Sequence, residues 1–249
     1  MPTAKILILV GVFFLTSIVS VVTGSTSLIT VPVMIAFGIE PHVAIATNML
    51  ALTFMSVGGS VPFLRSSAIR RNYLPASIVL TVFGSALGAM LLLTVPLRAV
   101  QLVIAVAMIA VTVFTLAKPD LGLSTSEEPV SRSSVLTGHV LTLALAVYGG
   151  FFSGGYVTLL TASFVVFFGM TFLQSVATTK VINVFSSAVA TAVFLWRGVV
   201  DVKLGIVLGA VMFLGAIVGG RFALKLSPVW LRRIFITAVL GLTVKMLVG

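Results

Sequence analysis

Hydrophobic residues in this chain come in long continuous runs rather than in alternation. Apolar segments occupy about residues 5–22, 26–37, 43–64, 73–93, 98–117, 134–152, 156–168, 173–196, 203–224 and 228–248. Several reach the length of about 18 residues at which a run reads as a transmembrane helix. Continuous runs also differ from the alternating pattern of a membrane β-barrel. The pattern predicts an all-α integral membrane protein. One long polar stretch, KPDLGLSTSEEPVSRSS from Lys118 to Ser134, carries Pro, Gly and charges of both signs, as a solvent-exposed linker does. It separates a first transmembrane repeat (1–117) from a second (134–249), with the linker at 118–133.

The two halves resemble each other. At an offset of 131 residues, Thr30 falls on Thr161, Gly38 on Gly169, Ala46-Thr47 on Ala177-Thr178 and Phe54 on Phe185. Ser56 falls on Ser187, Phe63 on Phe194, Gly84 on Gly215 and Gly88 on Gly219. Apolar residues match by chance, but glycines and hydroxyl residues in register point to an internal duplication. Lys5 and the apolar stretch after it follow the plan of a signal peptide. Their counterpart inside the chain, at 134–152, argues that this stretch is half of a repeat and is retained.

Helix length decides how the repeats are related. The apolar run from Lys5 to Phe37 is 33 residues long. As one helix it would extend about 50 Å, against a hydrocarbon core of about 30 Å. It must break, and TGST at residues 23–26 is the place. The piece after the break is either a short tilted span or a re-entrant half-helix. In both cases the chain returns to the side it came from, so each half makes an odd net number of crossings. The expectation is an inverted repeat of two four-to-five-segment halves, each beginning with a broken or re-entrant helix pair. The loop charges split nine against five whether or not the first segments break, so they do not decide between the two layouts. With the break, the more basic side is cytoplasmic and both termini are extracytoplasmic.

A break inside lipid is expensive unless protein or a water-filled cavity covers the freed backbone groups. Gly24 permits the turn, and Ser25, Thr26 and Ser27 stand where the short helix presents its first N–H donors. A helix N-terminus with these donors and a partial positive charge is an anion site that needs no arginine. Ser153, Gly154, Gly155 and Tyr156 repeat the device in the second half. The alternative is that small residues simply let helices approach, and that reading is preferred for Gly84-x-x-x-Gly88 and Gly215-x-x-x-Gly219-Gly220.

Composition then narrows the chemistry. The chain is 59% hydrophobic and 8% charged, against about 25% charged in soluble domains. Its net charge of +10 sits in loops between apolar segments, as topology signals and lipid contacts rather than a nucleic-acid surface. With no cysteine, disulfides, thiolate metal sites and thiol nucleophiles are excluded. No motif for a zinc protease, a serine hydrolase or a phosphate-binding loop is present, so no catalytic residue, metal or cofactor is expected.

The exceptional residue is Lys180, in ATTKVINV, about two turns into an apolar segment. An ionisable side chain at that depth is a functional candidate, and a lysine in a cavity attracts an oxyanion. The competing reading is that it snorkels to the interface. Thr178, Thr179 and Asn183 flank it. In the first half Thr47-Asn48 matches Thr178-Thr179, while Met49 matches Lys180, so the duplication is broken at the charge. One cation for two half-sites suits a single anion. Asn48 is read either as an amide donor to that anion or as an interhelical hydrogen bond. Ser56, Ser186 and Ser187 are expected to satisfy backbone carbonyls. His42 and His139 fall near membrane edges, and Glu40 and Asp201 are loop acids without assigned chemistry.

These features resemble the TauE/SafE family of sulfite and organosulfonate exporters. The residues that carry the resemblance are VTGSTSLITVP followed by VAIATNML, and GGFFSGGYVTLLTA followed by SVATTKVINVFSSA. Two loops, LRSSAIRRNYLPA and WRGVVDVKLG, sit where the family has a basic or polar loop. The family has more glycine at the first break, where this chain has Ser25 and Thr26. The resemblance covers essentially the whole chain and implies a transporter of the prokaryotic inner membrane. Its substrate would be sulfite, an organosulfonate or a related sulfur oxyanion, moved by alternating access with proton or sodium coupling. Its implied partners are that anion and the lipid bilayer. The alternatives from other classes are an anion channel and a membrane partner of a larger complex or intramembrane enzyme.

Overall fold

Both long apolar runs break where their length requires it. The computed structural model describes residues 3–24, 26–96 and 130–227, together with 99, 229, 230, 233 and 237. In the first half α1 (Thr3–Thr23) is followed by α2 (Ser27–Ala36), α3 (Pro41–Leu64), a 3-10 turn (Arg71–Tyr73) and α4 (Leu74–Leu92). In the second, α5 (Arg132–Phe151) is followed by α6 (Tyr156–Phe168), α7 (Phe172–Trp196) and α8 (Val202–Lys225). Every element among the described residues is helical. The expected segments 98–117 and 228–248 lie almost wholly outside those residues, as does most of the linker.

Six of these helices are long and apolar enough to cross a membrane: α1, α3, α4 with its preceding turn, α5, α7 and α8. The other two are not. With 10 and 13 residues, α2 and α6 extend only about 15 and 20 Å, short of the about 30 Å of a bilayer core. Leu7, Leu15, Phe83, Leu214 and Phe222 are exposed on the outside of the bundle, while its serines and threonines are largely buried. Apolar side chains outside and hydroxyls inside is the arrangement a lipid solvent selects.

The acids that carried no assigned chemistry open helices. The Glu40 carboxylate accepts the Val43 N–H at 2.9 Å at the start of α3, and Asp201 accepts the Leu204 N–H at 3.0 Å at the start of α8. Each satisfies donors that the first helical turn leaves unpaired and lies at the positive end of the helix dipole. His42 stands 3.0 Å from Glu40 at the start of α3.

Each short helix folds back along the long one before it. Lys5 Nζ at the start of α1 donates to the Phe37 carbonyl just past α2, at 3.4 Å. Ser134 Oγ near the start of α5 donates to the Phe167 carbonyl at the end of α6, at 3.0 Å. The two ends of each hairpin therefore lie together, and the break is the tip.

The halves interlock through paired contacts. Thr47 Oγ1 on α3 accepts the Asp201 N–H at 2.9 Å, and Thr178 Oγ1 on α7 accepts the Arg70 N–H at 3.1 Å. Thr47 and Thr178 are 131 residues apart, and so are Arg70 and Asp201. Thr53 meets Thr191 at 3.3 Å and Ser56 meets Asn183 at 2.6 Å, so α3 and α7 run antiparallel. Gly84 and Gly88 on α4 pack against the backbone of α5 at Leu143 and Val147. Gly215 and Gly219 on α8 likewise pack against the backbone of α1 at Phe14 and Ile18. The small residues at these four positions set the helix separation, as the packing reading of their spacing requires.

A side chain at Gly88 or Gly219 would collide with a backbone carbonyl of the neighbouring helix, whereas Gly11 has open space around it. Gly88→Leu and Gly219→Leu should each cost about 1–3 kcal/mol by overpacking, while Gly11→Leu should cost little. Thermal melting of the detergent-solubilised variants measures this, and equal melting temperatures for all three would contradict the packing.

Candidate functional site

The tips of the two hairpins meet in the middle of the bundle. Gly24 has φ +72 and Gly155 has φ +80, a left-handed backbone that glycine adopts without a Cβ penalty. The two glycines are 131 residues apart and make the same left-handed turn in the two halves. A Cβ on Gly24 would sit 2.8 Å from the Thr158 backbone nitrogen, which shows how closely the first tip is pressed against the start of α6. Gly154 sits in turn against Phe152 and Leu28.

Carbonyls released by the breaks are taken up by side chains. Thr158 Oγ1 donates to the Thr23 carbonyl at 2.5 Å, and Tyr148 Oη donates to the Gly154 carbonyl at 2.5 Å. Lys180 Nζ donates to the Ser20 carbonyl at 2.9 Å, which also accepts the Gly24 N–H at 2.9 Å. Lys180 thus brings a donor to the C-terminal end of α1, where carbonyls are unpaired and the helix dipole is negative. It is 2% exposed, so it does not snorkel. The bond to Ser20 holds it inside and leaves the rest of its ammonium at a small cavity.

Gly24, Thr26, Ser27, Ser153, Lys180 and Asn183 line this cavity, with Leu52, Met55 and Val157 closing it. Its polar wall comes from both hairpin tips and from α7, its apolar wall from α3 and the start of α6. The space suits a water-sized guest rather than a sulfonate. A hydrogen-bond chain runs along one side. Thr30 Oγ1 donates to Asn48 Oδ1 at 2.7 Å, Asn48 Nδ2 donates to Ser27 Oγ at 2.8 Å, and Ser27 Oγ meets Ser153 Oγ at 2.7 Å. Each such bond contributes about 0.6 kcal/mol in a membrane protein, too little to hold the fold. Its effect is to fix where the two serine hydroxyls point.

The structure brings some of the sequence candidates together and places others apart. Gly24, Thr26, Ser27, Ser153, Lys180 and Asn183 converge. Ser25 lies outside the described residues. Asn48 stands one bond back, engaged as an interhelical hydrogen bond with Ser27 and Thr30. Thr179 meets Thr161 at 3.1 Å on the α6 side. Thr47 and Thr178 face away from the cavity, clamping the loops before α8 and α4. Gly154 and Gly155 shape the turn, and the Tyr156 ring packs on Gly149. Of the serines expected to satisfy backbone carbonyls, Ser187 bonds the Asn183 carbonyl at 2.6 Å. Ser56 instead accepts from the Asn183 amide, and Ser186 pairs with the Ser85 hydroxyl at 2.7 Å. Sequence reasoning missed Ser20, whose contribution is a carbonyl, and Tyr148, Leu52, Met55 and Val157, which carry no distinguishing pattern in an apolar chain.

Residues 9–246 match the family model described as Sulfite exporter TauE/SafE. A Sinorhizobium protein named probable membrane transporter protein ORF9 is 28% identical over 239 residues, covering 94% of this chain and 89% of its own length. A probable membrane transporter protein of Haemophilus influenzae is 28% identical over 240 residues, covering 96% and 93%. The Escherichia coli probable membrane transporter protein YfcA is 26% identical over 246 residues, covering 96% and 90%. No solved structure matches the chain.

Gly24→Ala and Gly198→Ala test the tip contact against backbone strain alone. Both positions are left-handed, but Gly198 has nothing near its missing Cβ. Gly198→Ala should cost only the strain of about 1–2 kcal/mol, and Gly24→Ala should cost clearly more because α6 must move. Thermal melting measures both, and equal losses would mean that the hairpin tips do not press together.

Proposed function

The chain belongs to the sulfite exporter TauE/SafE family, a family of multi-pass membrane transporters rather than enzymes, and from that premise we propose that it is a secondary transporter of a small sulfur oxyanion. Sulfite and the organosulfonates are the candidate substrates. The anion binds where the hairpin tips meet, between two halves that form an inverted repeat. The carrying observation is the buried ammonium of Lys180 at the cavity between two broken helices. Among the described residues no carboxylate pairs with it; the ion pair found there is His42 with Glu40 at the rim. An ion without a counter-charge in low dielectric is costly, and an incoming oxyanion supplies that charge. The Ser27 and Ser153 hydroxyls, the Asn183 amide and the N-terminal turn of α2 add donors that suit sulfonyl oxygens.

Two observations support alternating access. Equivalent helices α3 and α7 run antiparallel, which is the relation that inversion in a membrane plane produces. The cavity is too small for the substrate, so the hairpins must part to admit it. In this reading the repeats are 1–117 and 134–249, the linker at 118–133 is cytoplasmic, both termini are extracytoplasmic and the membrane is a prokaryotic inner membrane.

A ligand that binds the folded state alone raises its melting temperature. Sulfite should stabilise the wild-type protein. Lys180→Met, which keeps the length of the side chain without its charge, should abolish that shift. Lys180→Arg should retain part of it. A sulfite shift undiminished in Lys180→Met would remove the lysine from the site and this reading with it.

A further inference from the structure

Buried hydroxyls in this bundle as a rule bond a carbonyl one turn back on their own helix. Thr30, Ser60, Thr142 and Ser187 all do so, as hydroxyls in apolar helices generally do. A group of others does not. Ser77 on α4, Ser163 on α6 and Ser175 on α7 have buried oxygens without a hydrogen-bond partner, and the buried Tyr156 hydroxyl of α6 stands among the hydroxyls of Thr81 on α4 and Ser186 on α7. Each of these residues is at most 2% exposed. Three unsatisfied hydroxyls would be a large cost if the region were dry.

They share one seam. Ser77 and Thr81 are one turn apart on α4, and Tyr156 and Ser163 two turns apart on α6, so each pair shares a face. Ser175 lies on the face of α7 that carries Thr179 and Ser186, whose hydroxyls meet Thr161 of α6 and Ser85 of α4. The seam's outer end is marked by the Tyr73–Phe168 ring contact at 4.7 Å and by His139, 5.1 Å from Phe168, whose Nε2 is also unpaired. Arg70 and Arg71 are exposed beside that end. At the inner end, Tyr156 adjoins Val157 and Ser186 lies one turn beyond Asn183, both in the wall of the central cavity.

The duplication supplies an internal control. At the offset of 131, Ser77 corresponds to Leu208, Thr81 to Met212, Ser163 to Pro32 and Ser175 to Ala44. The corresponding positions on α8, α2 and α3 are therefore apolar at those four places, while Tyr156 corresponds to Ser25 and the Thr161–Thr179 pair to the Thr30–Asn48 pair. At these four positions the hydroxyl occurs in one half only, which interhelical packing by itself does not require.

We propose that the seam between α4, α6 and α7 holds ordered water and is the path by which a small oxyanion passes between the central cavity and the membrane face on which α4, α5 and α7 begin. This rests on the transporter reading above. Unpartnered hydroxyls replace part of the anion's hydration shell, and the arginines at the mouth raise its local concentration. On the orientation proposed, that face is cytoplasmic, so the wet seam is the entry for export.

The chain has no cysteine, so each introduced thiol is the only one present. Ser77→Cys, Thr81→Cys and Ser175→Cys are compared with Ala44→Cys, Leu208→Cys and Met212→Cys. Inside-out and right-side-out vesicles are treated with the impermeant anionic reagent 2-sulfonatoethyl methanethiosulfonate. Thiol reactivity follows access to water, so the seam thiols should react at least about tenfold faster than the apolar set, and from one face only. Equal rates in the two sets, or no reaction at the seam thiols in variants that melt like the parent, would overturn the proposal. Sulfite-induced stabilisation of the same cysteine variants separates the two readings. If it persists without labelling, the seam falls and the central site stands. Labelling of the seam together with a sulfite shift that survives Lys180→Met would sink the central site instead.

Discussion

A polypeptide that leaves its helix inside hydrocarbon must find a partner for each backbone group it frees. Water is absent there, and an unmade hydrogen bond costs several kcal/mol. Two such departures define this protein, and the surrounding structure is arranged to satisfy them. The Ser20 carbonyl receives Lys180, the Thr23 carbonyl receives Thr158, and the Gly154 carbonyl receives Tyr148. Two of these donors cross from one half to the other. The breaks are thus stable only because the halves face each other, and the same facing creates the cavity.

Lys180 joins structure to function through that requirement. Its ammonium completes the end of α1, which explains how a cation is tolerated at 2% exposure. A carbonyl partner supplies no counter-charge to an ammonium. A neutral donor such as the Thr158 hydroxyl satisfies a carbonyl without that imbalance. The duplication itself makes the point, because Met49 holds the equivalent place in the other half.

Symmetry and its violations carry different information here. Contacts that recur at the same offset, such as Thr47 with Asp201 and Thr178 with Arg70, are scaffold: both halves need them to interlock. Differences between equivalent positions mark where the two halves no longer do the same work. Lysine against methionine at the centre and hydroxyls against apolar residues along the seams are two such differences.

Sequence alone determined the helical class, the break at Gly24, its counterpart near Gly155 and most segment boundaries. Each follows from a local constraint: the length of a bilayer, the freedom of a residue without a Cβ, and the continuity of apolar runs. It also singled out Lys180, because charge at that depth is rare. It did not distinguish Thr26, Ser27, Ser153 and Asn183, which reach the cavity, from Thr47, Thr178 and Tyr156, which do not. Hydroxyl residues in an apolar chain look alike along the sequence, and a helix carries them to whichever neighbour its rotation presents. Nor did it show that Lys180 ends at a carbonyl 160 residues away rather than at the lipid interface. Those outcomes depend on how helices from separate halves are rotated against one another, and tertiary packing sets that rotation.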